Sequence, residues 1–414
     1  TCTRVYFNTD AATDADATYA TVLATDGFVT SAALYLNGYA GNVKNVTDAL
    51  DYYLMGWDVS GSYPTLTSTV CAFQDNDGYF TSGNGSVTFP YILSSDDDMA
   101  ELVTYVENGN TTEGLYFNLT ENVTQTAVIG TTAALGFAGT FDGGGNTILV
   151  DISASTYAGV FGCVTATGVV KNLRVEGTIT SSNHTGGIVG YNYGYIYNVS
   201  AKVEVLNTLT KTGTGGIAGY MLAGSVVNYA VVEDGSTISN TGATGYSGGI
   251  VGVSDGQIIN CAVYATSVSA ISNNGGIVGI MRAGPVYNSY VVGTTVSSSA
   301  LSGWFANSAA NIMSNCYYYN DDATETDTLI IFGNTTNSFG TTSNLYTVAL
   351  AENAQYSYNV LTLAEFASTD EDCLVDTLNA NVATANDSGS YTYDWGTWEL
   401  LSGAKYPTLV PLTE

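Results

Sequence analysis

The chain has 414 residues, of which 37 are Asp or Glu and only eight are Lys or Arg, so its formal charge is −29. The basic residues form no cluster in the sequence, which excludes a nucleic-acid backbone or an anionic membrane surface as a partner. Because 45% of the residues are apolar and only 11% are charged, the composition indicates a folded protein rather than a disordered acidic tail.

Residues 1–70 resemble the end of the same chain. Trp57 to Leu66 ends in Tyr-Pro-Thr-Leu, as does the stretch from Trp398 to Leu409. We therefore interpret residues 1–70 as the tail of a preceding module and as a possible assembly segment. A second interpretation is that the chain is a cut from a longer polypeptide with tandem modules, and its start at Thr1 rather than Met predicts a processed or excised form.

Residues 71–135 are expected to form a linker, a capping helix and the first strands. Ser95 precedes the acidic run Asp96–Asp98, and apolar residues follow at helical spacing, which predicts a helix whose positive end carries the acids. The alternative is that the three aspartates bind a metal ion. The segment 75–78, Asp-Asn-Asp-Gly, resembles the start of a calcium loop but does not complete its pattern, so a turn is favoured and calcium stays an open possibility.

Residues 136–320 contain internal repeats. A Gly-Gly-Ile-Val-Gly block, with one Ala variant, occurs at residues 186–190, 215–219, 248–252 and 275–279, at spacings of 27 to 33 residues. A second motif, Gly-x-[Val/Ile]-x-Asn, ends at Asn172, Asn198, Asn228, Asn260 and Asn288, with a variant at Asn315. A unit of this size cannot bury its own apolar face, so it must stack on its neighbours. The repeats predict an all-β solenoid, a right-handed parallel β-helix with short capping helices and a β-rich tail, in which the six asparagines form an inward ladder.

These repeats resemble the GLUG repeats of bacterial-type cell-surface and adhesin proteins. The resemblance covers roughly residues 88–410, with further motifs at Phe89–Leu93, Gly114–Leu119 and Gly139–Ile148. It implies the β-helix and an extracellular or cell-surface location. The family is associated with adhesins rather than with one chemistry, so the resemblance implies no activity.

Residues 321–414 are expected to form a C-terminal tail or cap, with a second helix at about 369–378. Six cysteines are scattered without a Cys-x-x-Cys pair. Cys261 and Cys316 are predicted to lie two turns apart, beyond the reach of a disulfide. The disulfide candidates are Cys2 with Cys71 and Cys316 with Cys373.

Nine Asn-x-Ser/Thr sequons occur, close to the number that chance predicts for this composition. The glycosylation candidates are Asn45, Asn84, Asn110, Asn118, Asn122, Asn183, Asn334 and Asn386. The ninth, Asn198, is a ladder position and is expected to be unmodified.

Four tyrosines between Tyr191 and Tyr197 alternate along the sequence and would share one face of a strand. Such a stripe stacks either on sugar rings or on neighbouring turns of the solenoid, and the sequence leaves both open. Catalytic residues are not evident: the sole histidine, His184, has no recognisable partners, and the Gly-His-Gly and Arg-x-Lys elements of polygalacturonase-like sites are absent. We expect no enzyme activity and no cofactor, apart from the open possibility of calcium.

The sequence therefore predicts a non-enzymatic extracellular structural glycoprotein. It would be a fibril- or pilus-like filament subunit or an adhesin whose partner is itself, assembled head-to-tail, without membrane insertion. The alternative is a monomeric glycan-binding adhesin module, and a polysaccharide lyase or hydrolase is the third hypothesis.

Overall fold

A computed structural model describes residues 82–264, 266–298, 301–303, 313–319, 342–348, 358–360, 374–388, 397–399 and 408–410, with short pieces at 6–8, 21–23, 57–58, 65–66 and 79–80. The chain divides into two units, Thr1–Ile92 and Leu93–Glu414. Cys2, Cys71, Cys373, Asn45, Asn334 and the segment 75–78 lie outside the described residues.

The described residues of the first unit include the short strands β1 (Tyr6–Asn8), β2 (Thr21–Leu23), β3 (Trp57–Asp58) and β4 (Thr65–Leu66), and β5 (Tyr91–Leu93) lies at its boundary. Strands β1 and β2 are parallel. Strands β3 and β4 form an antiparallel hairpin in which Trp57 lies opposite Leu66 and Asp58 opposite Thr65. We call this pair the Trp57 hairpin.

The second unit is an all-β parallel solenoid, as the repeats predict, and the described residues form about seven turns. Its strands are β6 (Tyr116–Leu119), β7 (Val123–Gln125), β8 (Thr140–Asp142), β9 (Thr147–Ala154), β10 (Phe161–Val164), β11 (Val169–Ser181), β12 (Thr185–Gly186), β13 (Val189–Asn192), β14 (Tyr195–Asn207), β15 (Gly213–Gly215), β16 (Ala218–Met221), β17 (Val226–Val232), β18 (Thr237–Asn240), β19 (Tyr246–Gly248), β20 (Val251–Ser254), β21 (Gln257–Ile259), β22 (Ala262–Tyr264), β23 (Ser267–Ala270), β24 (Asn273–Gly275), β25 (Val278–Met281), β26 (Val286–Tyr287), β27 (Tyr290–Val292), β28 (Thr295–Ser298), β29 (Leu301–Gly303), β30 (Met313–Tyr319), β31 (Thr342–Val348), β32 (Tyr358–Val360), β33 (Trp398–Glu399) and β34 (Thr408–Leu409).

The strands stack into three parallel sheets that run along the solenoid. The first sheet has the order β10-β13-β16-β20-β25 and the second β12-β15-β19-β24-β29. The third sheet contains the long strands β11 and β14, followed by the shorter strands that continue their stack. Parallel pairing continues through β30, β31 and β32, so it extends beyond residue 320.

The second glycine of each Gly-Gly pair is required by stacking rather than by the bend itself. A Cβ at Gly187 would lie 2.2 Å from the carbonyl oxygen of Gly216, and one at Gly216 would lie 2.4 Å from that of Gly249. Neither Gly187 nor Gly216 has a positive φ. The repeat therefore keeps glycine here because the backbone of the next turn occupies the space of a side chain.

The solenoid interior is filled by apolar columns, one residue from each turn. Val170, Ile196 and Val227 are in register and fully buried. Near the N-terminal end of the stack the filling is aromatic, and the rings of Phe137 and Phe161 lie 4.9 Å apart. This burial, rather than polar contact, supplies the main stabilisation.

Helix α1 (Asp96–Glu107) begins as predicted, since the Ser95 hydroxyl accepts a hydrogen bond from the Asp98 amide. The Asp98 carboxylate accepts from the Ser94 amide at 2.7 Å, and the Asp96 carboxylate accepts from the Thr124 amide at 2.6 Å. The Asp98 contact closes the start of the helix, and the Asp96 contact joins the helix to β7. In the part of the chain that the structure describes, no three His, Cys, Asp or Glu side chains lie close enough together to hold a metal ion.

Helix α2 (Leu374–Ser388) lies further along the chain than the expected 369–378. Its buried residues are Leu378, Val382 and Ala385, so a stripe beyond Leu378 fixes its position. Among the described residues, no helix is both long and apolar enough to cross a membrane.

Candidate functional site

The candidate site lies on the third sheet, where its strands bend at a repeated asparagine. Asn172, Asn198, Asn260 and Asn288 have positive φ angles of 53°, 51°, 55° and 48°. Asparagine tolerates this left-handed conformation better than most residues, which explains its recurrence at the bend. Helix α2 and Trp398 bond to these side chains, so the ladder faces outward and not into the solenoid as expected.

The ladder consists of two separate hydrogen-bonded runs. In the first run, the Asn198 side-chain amide donates to Asn172 Oδ1 at 2.6 Å, and the Asn172 amide donates to Asp142 Oδ1 at 3.0 Å. In the second run, the Asn288 amide donates to Asn260 Oδ1 at 2.8 Å. Each run joins adjacent turns, which is the rung-to-rung bonding that the motif predicts.

Tyr229 interrupts the ladder, so the prediction for Asn228 is wrong. Asn228 is in register with Tyr197, one residue before the ladder position, and Tyr229 takes that position with a φ of 59°. The cause is that Ser225, rather than Gly224, stacks between Gly194 and Gly256, as backbone hydrogen bonds from their neighbours show. The motif is therefore displaced by one residue in this turn. The side chain of the sixth ladder candidate, Asn315, lies outside the described residues.

Trp398 binds the second run of the ladder. Its indole N–H donates to Asn260 Oδ1 at 2.7 Å, its ring lies 5.0 Å from that of Tyr290, and only 2% of the residue is exposed. The Asn379 side chain on α2 hydrogen-bonds both the N–H and the C=O of Trp398, at 2.8 and 2.9 Å. Strands β33 and β34 form an antiparallel hairpin, with Trp398 opposite Leu409. We call this pair the Trp398 hairpin.

An open groove of about 450 Å³ lies beside the first run and adjoins the covered surface at Tyr229 and Tyr264. Its lining is Gly145, Asn172, Leu173, Arg174, Asn198, Val199, Ser200, Tyr229, Val231, Glu233, Asp234 and Tyr264. The groove therefore continues, over earlier turns, the same face that α2 and the Trp398 hairpin cover.

Arg174 organises the charges in the groove. Its guanidinium donates two hydrogen bonds of 2.9 Å to the Glu233 carboxylate and one of 2.6 Å to Glu176. Burial alone would raise the pKa of Glu233, but hydrogen bonds from Arg174 and Ser200 outweigh it and lower that pKa. The hydrogen bonds to Glu233 also raise the pKa of Arg174. The groove thus holds a fixed, paired charge cluster that stays ionised at neutral pH.

The outward positions change character along this face. Arg174, Ser200 and Val231 are in register on three successive turns, and Ala262 and Tyr290 continue the column. The column is polar at Arg174 and Ser200, which line the open groove, and apolar from Val231 onward, where it approaches α2. That change was the available sequence signal for where a covering element lies, but it can be read only once the register is known.

The four tyrosines between Tyr191 and Tyr197 do not all lie on one strand, because β13 ends at Asn192 and β14 begins at Tyr195. Tyr191 stacks between Tyr157 and Tyr220, at centroid distances of 4.8 and 5.0 Å. Its two faces are therefore occupied by protein rings. This is the stacking between neighbouring turns that the sequence offered as one of two outcomes.

His184 lies beside this tyrosine stack. Its Nδ1 accepts a hydrogen bond from the Gly213 amide at 2.9 Å. Burial, and then the charge of Arg282, lowers the pKa of His184 to about 4. A neutral imidazole with one nitrogen bonded to the backbone is a structural acceptor.

Cys163, Cys261 and Cys316 are buried. Cys373 lies outside the described residues, so its pairing with Cys316 stays a prediction. Cys316 follows the ladder position of its turn and is fully buried, with its sulfur 3.9 Å from the Val286 carbonyl oxygen. Cys261 and Cys316 occupy one column with Ser289 between them, as predicted. Burial raises the pKa of the Cys261 thiol to about 12.

The sequons differ in exposure. Asn84 and Asn122 are exposed, whereas Asn110, Asn118, Asn183 and Asn386 are partly buried. Asn122 and Asn183 also accept backbone hydrogen bonds through their side chains. Asn198 is partly buried within the groove.

The chain shows similarity to known proteins in part of its sequence and in its fold. No family model matches it. Halomucin from Haloquadratum walsbyi is 30% identical over 136 residues, which is 29% of this chain and 1% of halomucin. The chain thus spans a very small part of that relative's length.

A solved structure from Bacteroides ovatus, named as a candidate immunoglobulin A1 protease, has a TM-score of 0.53 at 18% identity. The match covers 80% of this chain and 95% of that one, and at this identity it shows the fold alone. The solenoid together with the partial halomucin match fits a surface protein.

Proposed function

We propose that the chain is a non-enzymatic extracellular structural protein of the GLUG-repeat type, whose copies assemble head-to-tail into a filament at the cell surface. The observation that carries the proposal is the presence of two hairpins of one pattern, each with Trp opposite Leu. The Trp398 hairpin covers a ladder surface, and the Trp57 hairpin offers the same pairing on the other unit of the chain.

The parallel stack supports a rigid structural role. Neighbouring turns are bonded through up to three sheets, and most of the buried side chains in the described solenoid are apolar. Such an array gains stability from every interface between neighbouring turns, so it resists bending along its length.

The two residues closest to a catalytic arrangement support the same proposal. His184 is committed to the Gly213 amide, and Arg174 is committed to Glu233 and Glu176. Both side chains are therefore held in contacts that serve the fold in this structure.

Negative-stain electron microscopy of the purified chain over a range of protein concentrations tests the proposal. We expect filaments that lengthen as the concentration rises. Isolated rods at every concentration would instead favour a monomeric glycan-binding adhesin. Release of reducing or unsaturated sugars from acidic polysaccharides would replace the proposal with a carbohydrate-active enzyme.

A further inference from the structure

We infer that the groove beside Asn198 is the docking site for the Trp57 hairpin of a second copy of this chain. The inference rests on the proposed function, because it names the surface through which copies associate. We identify the Trp57 hairpin as the occupant because the similar Trp398 hairpin is bound on the same face of the solenoid.

The two hairpins share sequence and pairing. Trp57 lies opposite Leu66, and Trp398 lies opposite Leu409, in both cases in an antiparallel pair of two residues per strand. Both end in Tyr-Pro-Thr-Leu. An acidic residue, Asp58 or Glu399, follows each tryptophan. A surface that binds the Trp398 hairpin therefore shows what the Trp57 hairpin requires.

That requirement is an outward-facing ladder oxygen beside an apolar surface. Asn260 Oδ1 accepts both the Asn288 amide and the Trp398 indole N–H. Asn198 is the equivalent residue two turns earlier, with Tyr229 between them in place of a ladder asparagine. Among the described residues, Asn198 Oδ1 accepts no hydrogen bond, and Asn198 lines the groove. The break in the ladder thus leaves one acceptor available.

The groove floor suits an indole. Apolar and aromatic side chains make up part of the groove lining, namely Leu173, Val199, Val231, Tyr229 and Tyr264. An aromatic side chain buries roughly 150–250 Å² when it is enclosed, and such residues dominate the free energy of interfaces.

Sedimentation velocity of the full chain at several concentrations tests the docking surface. We expect Trp57→Ala and Asn198→Ala each to weaken self-association at least about tenfold, because each removes half of one central contact. The double variant should self-associate no more weakly than Trp57→Ala alone, because both substitutions remove the same contact. Leu149→Ala is the matched control, since Leu149 is 47% exposed, lies on a neighbouring strand of the same sheet, and does not line the groove.

A photo-crosslinking residue at position 57 gives a second readout that does not depend on variant stability. In a mixture of isotopically labelled and unlabelled chains, we expect crosslinks between copies to peptides that contain Asn198. Crosslinks confined to other surfaces would overturn the inference even if an alanine variant failed to fold.

The outcomes separate the inference from the proposed function. If the unaltered chain associates and both alanine variants associate equally well, the inference is wrong while the proposed function stands. If the unaltered chain does not associate at any concentration, both are wrong. If Asn198→Ala abolishes binding of an oligosaccharide without affecting association, the groove is a glycan site and the inference is overturned.

Discussion

Trp398→Ala tests whether α2 and the Trp398 hairpin are held on the solenoid by the contacts of Trp398 at Asn260. Trp398 is 2% exposed and lies in a cluster with Leu378, Val382 and Tyr290. Truncating a buried tryptophan costs about 3–5 kcal/mol, which includes the lost packing and the cavity that remains. Asn260 Oδ1 still accepts the Asn288 amide, so the variant leaves no buried acceptor without a partner.

The free-energy loss should be local, because α2 and the Trp398 hairpin cover the outside of turns that are bonded to each other independently. About 3–5 kcal/mol corresponds to a loss of roughly a hundredfold to a few thousandfold in the protection of α2 amides. Hydrogen exchange measured by mass spectrometry on peptides from 374–388 gives this ratio directly. Peptides from β13 and β16 should keep their protection.

Two further variants sharpen the test. Trp398→Phe keeps a ring on Tyr290 but loses the N–H donor, so it should cost less than the alanine variant. Leu149→Ala, at an exposed site, should change protection within about 0.5 kcal/mol of zero. If the 374–388 peptides of Trp398→Ala exchange as slowly as in the unaltered chain, Trp398 does not hold α2 on the solenoid and the argument from these contacts fails.

Three other predictions concern the stability of the solenoid, measured by chemical denaturation. Gly187→Ala should cost more than Gly224→Ala, since a Cβ at Gly187 meets a backbone oxygen at 2.2 Å, while one at Gly224 meets no atom within 4 Å and costs only the strain of its φ of 91°; equal costs would contradict the stacking argument. The pKa of His184 is about 4 in the folded state, against about 6.5 in the unfolded chain. The free energy of unfolding should therefore be unaffected by His184 above pH 6.5 and should fall by about 3 kcal/mol as the pH falls toward 4. His184→Asn should therefore flatten the fall in stability over this window, and an unchanged slope would refute the assignment. Arg174→Met should cost about 1–3 kcal/mol at pH 7 by leaving Glu233 without its cation, and the cost should shrink below pH 4.5 as Glu233 takes up a proton; a cost independent of pH would rule out the ion pair as its source.

The parts of the fold that depend on neighbours in sequence could be predicted. The Gly-Gly blocks gave the length of a turn, and a turn that cannot bury its own face forces the stack. The start of α1 followed from Ser95 and the acids after it, because a helix cap is a local interaction.

The parts that depend on contacts between distant residues could not be predicted. Trp398 and Asn260 are 138 residues apart, and no spacing in the chain indicates their hydrogen bond. The register shift at Tyr229 was hidden because Gly224 and Asn228 fit the motif while Ser225 takes the stacked position. The helical spacing of Leu378, Val382 and Ala385 indicated the position of α2. The acidic residues before Leu374 resemble the start of a helix, however, and favoured an earlier position.

The break in the ladder at Tyr229 accounts for the division of this face into a covered and an open part. Where Asn260 and Asn288 continue the ladder, the outward column is apolar and α2 lies over it; before Tyr229 the column carries Arg174 and Ser200, which no described helix covers.

The assembly and tandem-module interpretations agree that the Trp57 hairpin needs a ladder oxygen, and they differ in which polypeptide supplies it. If a preceding module supplies it, the groove stays open and Asn198→Ala leaves association unchanged. If a second copy supplies it, Asn198→Ala weakens association. The two interpretations therefore give opposite results at Asn198.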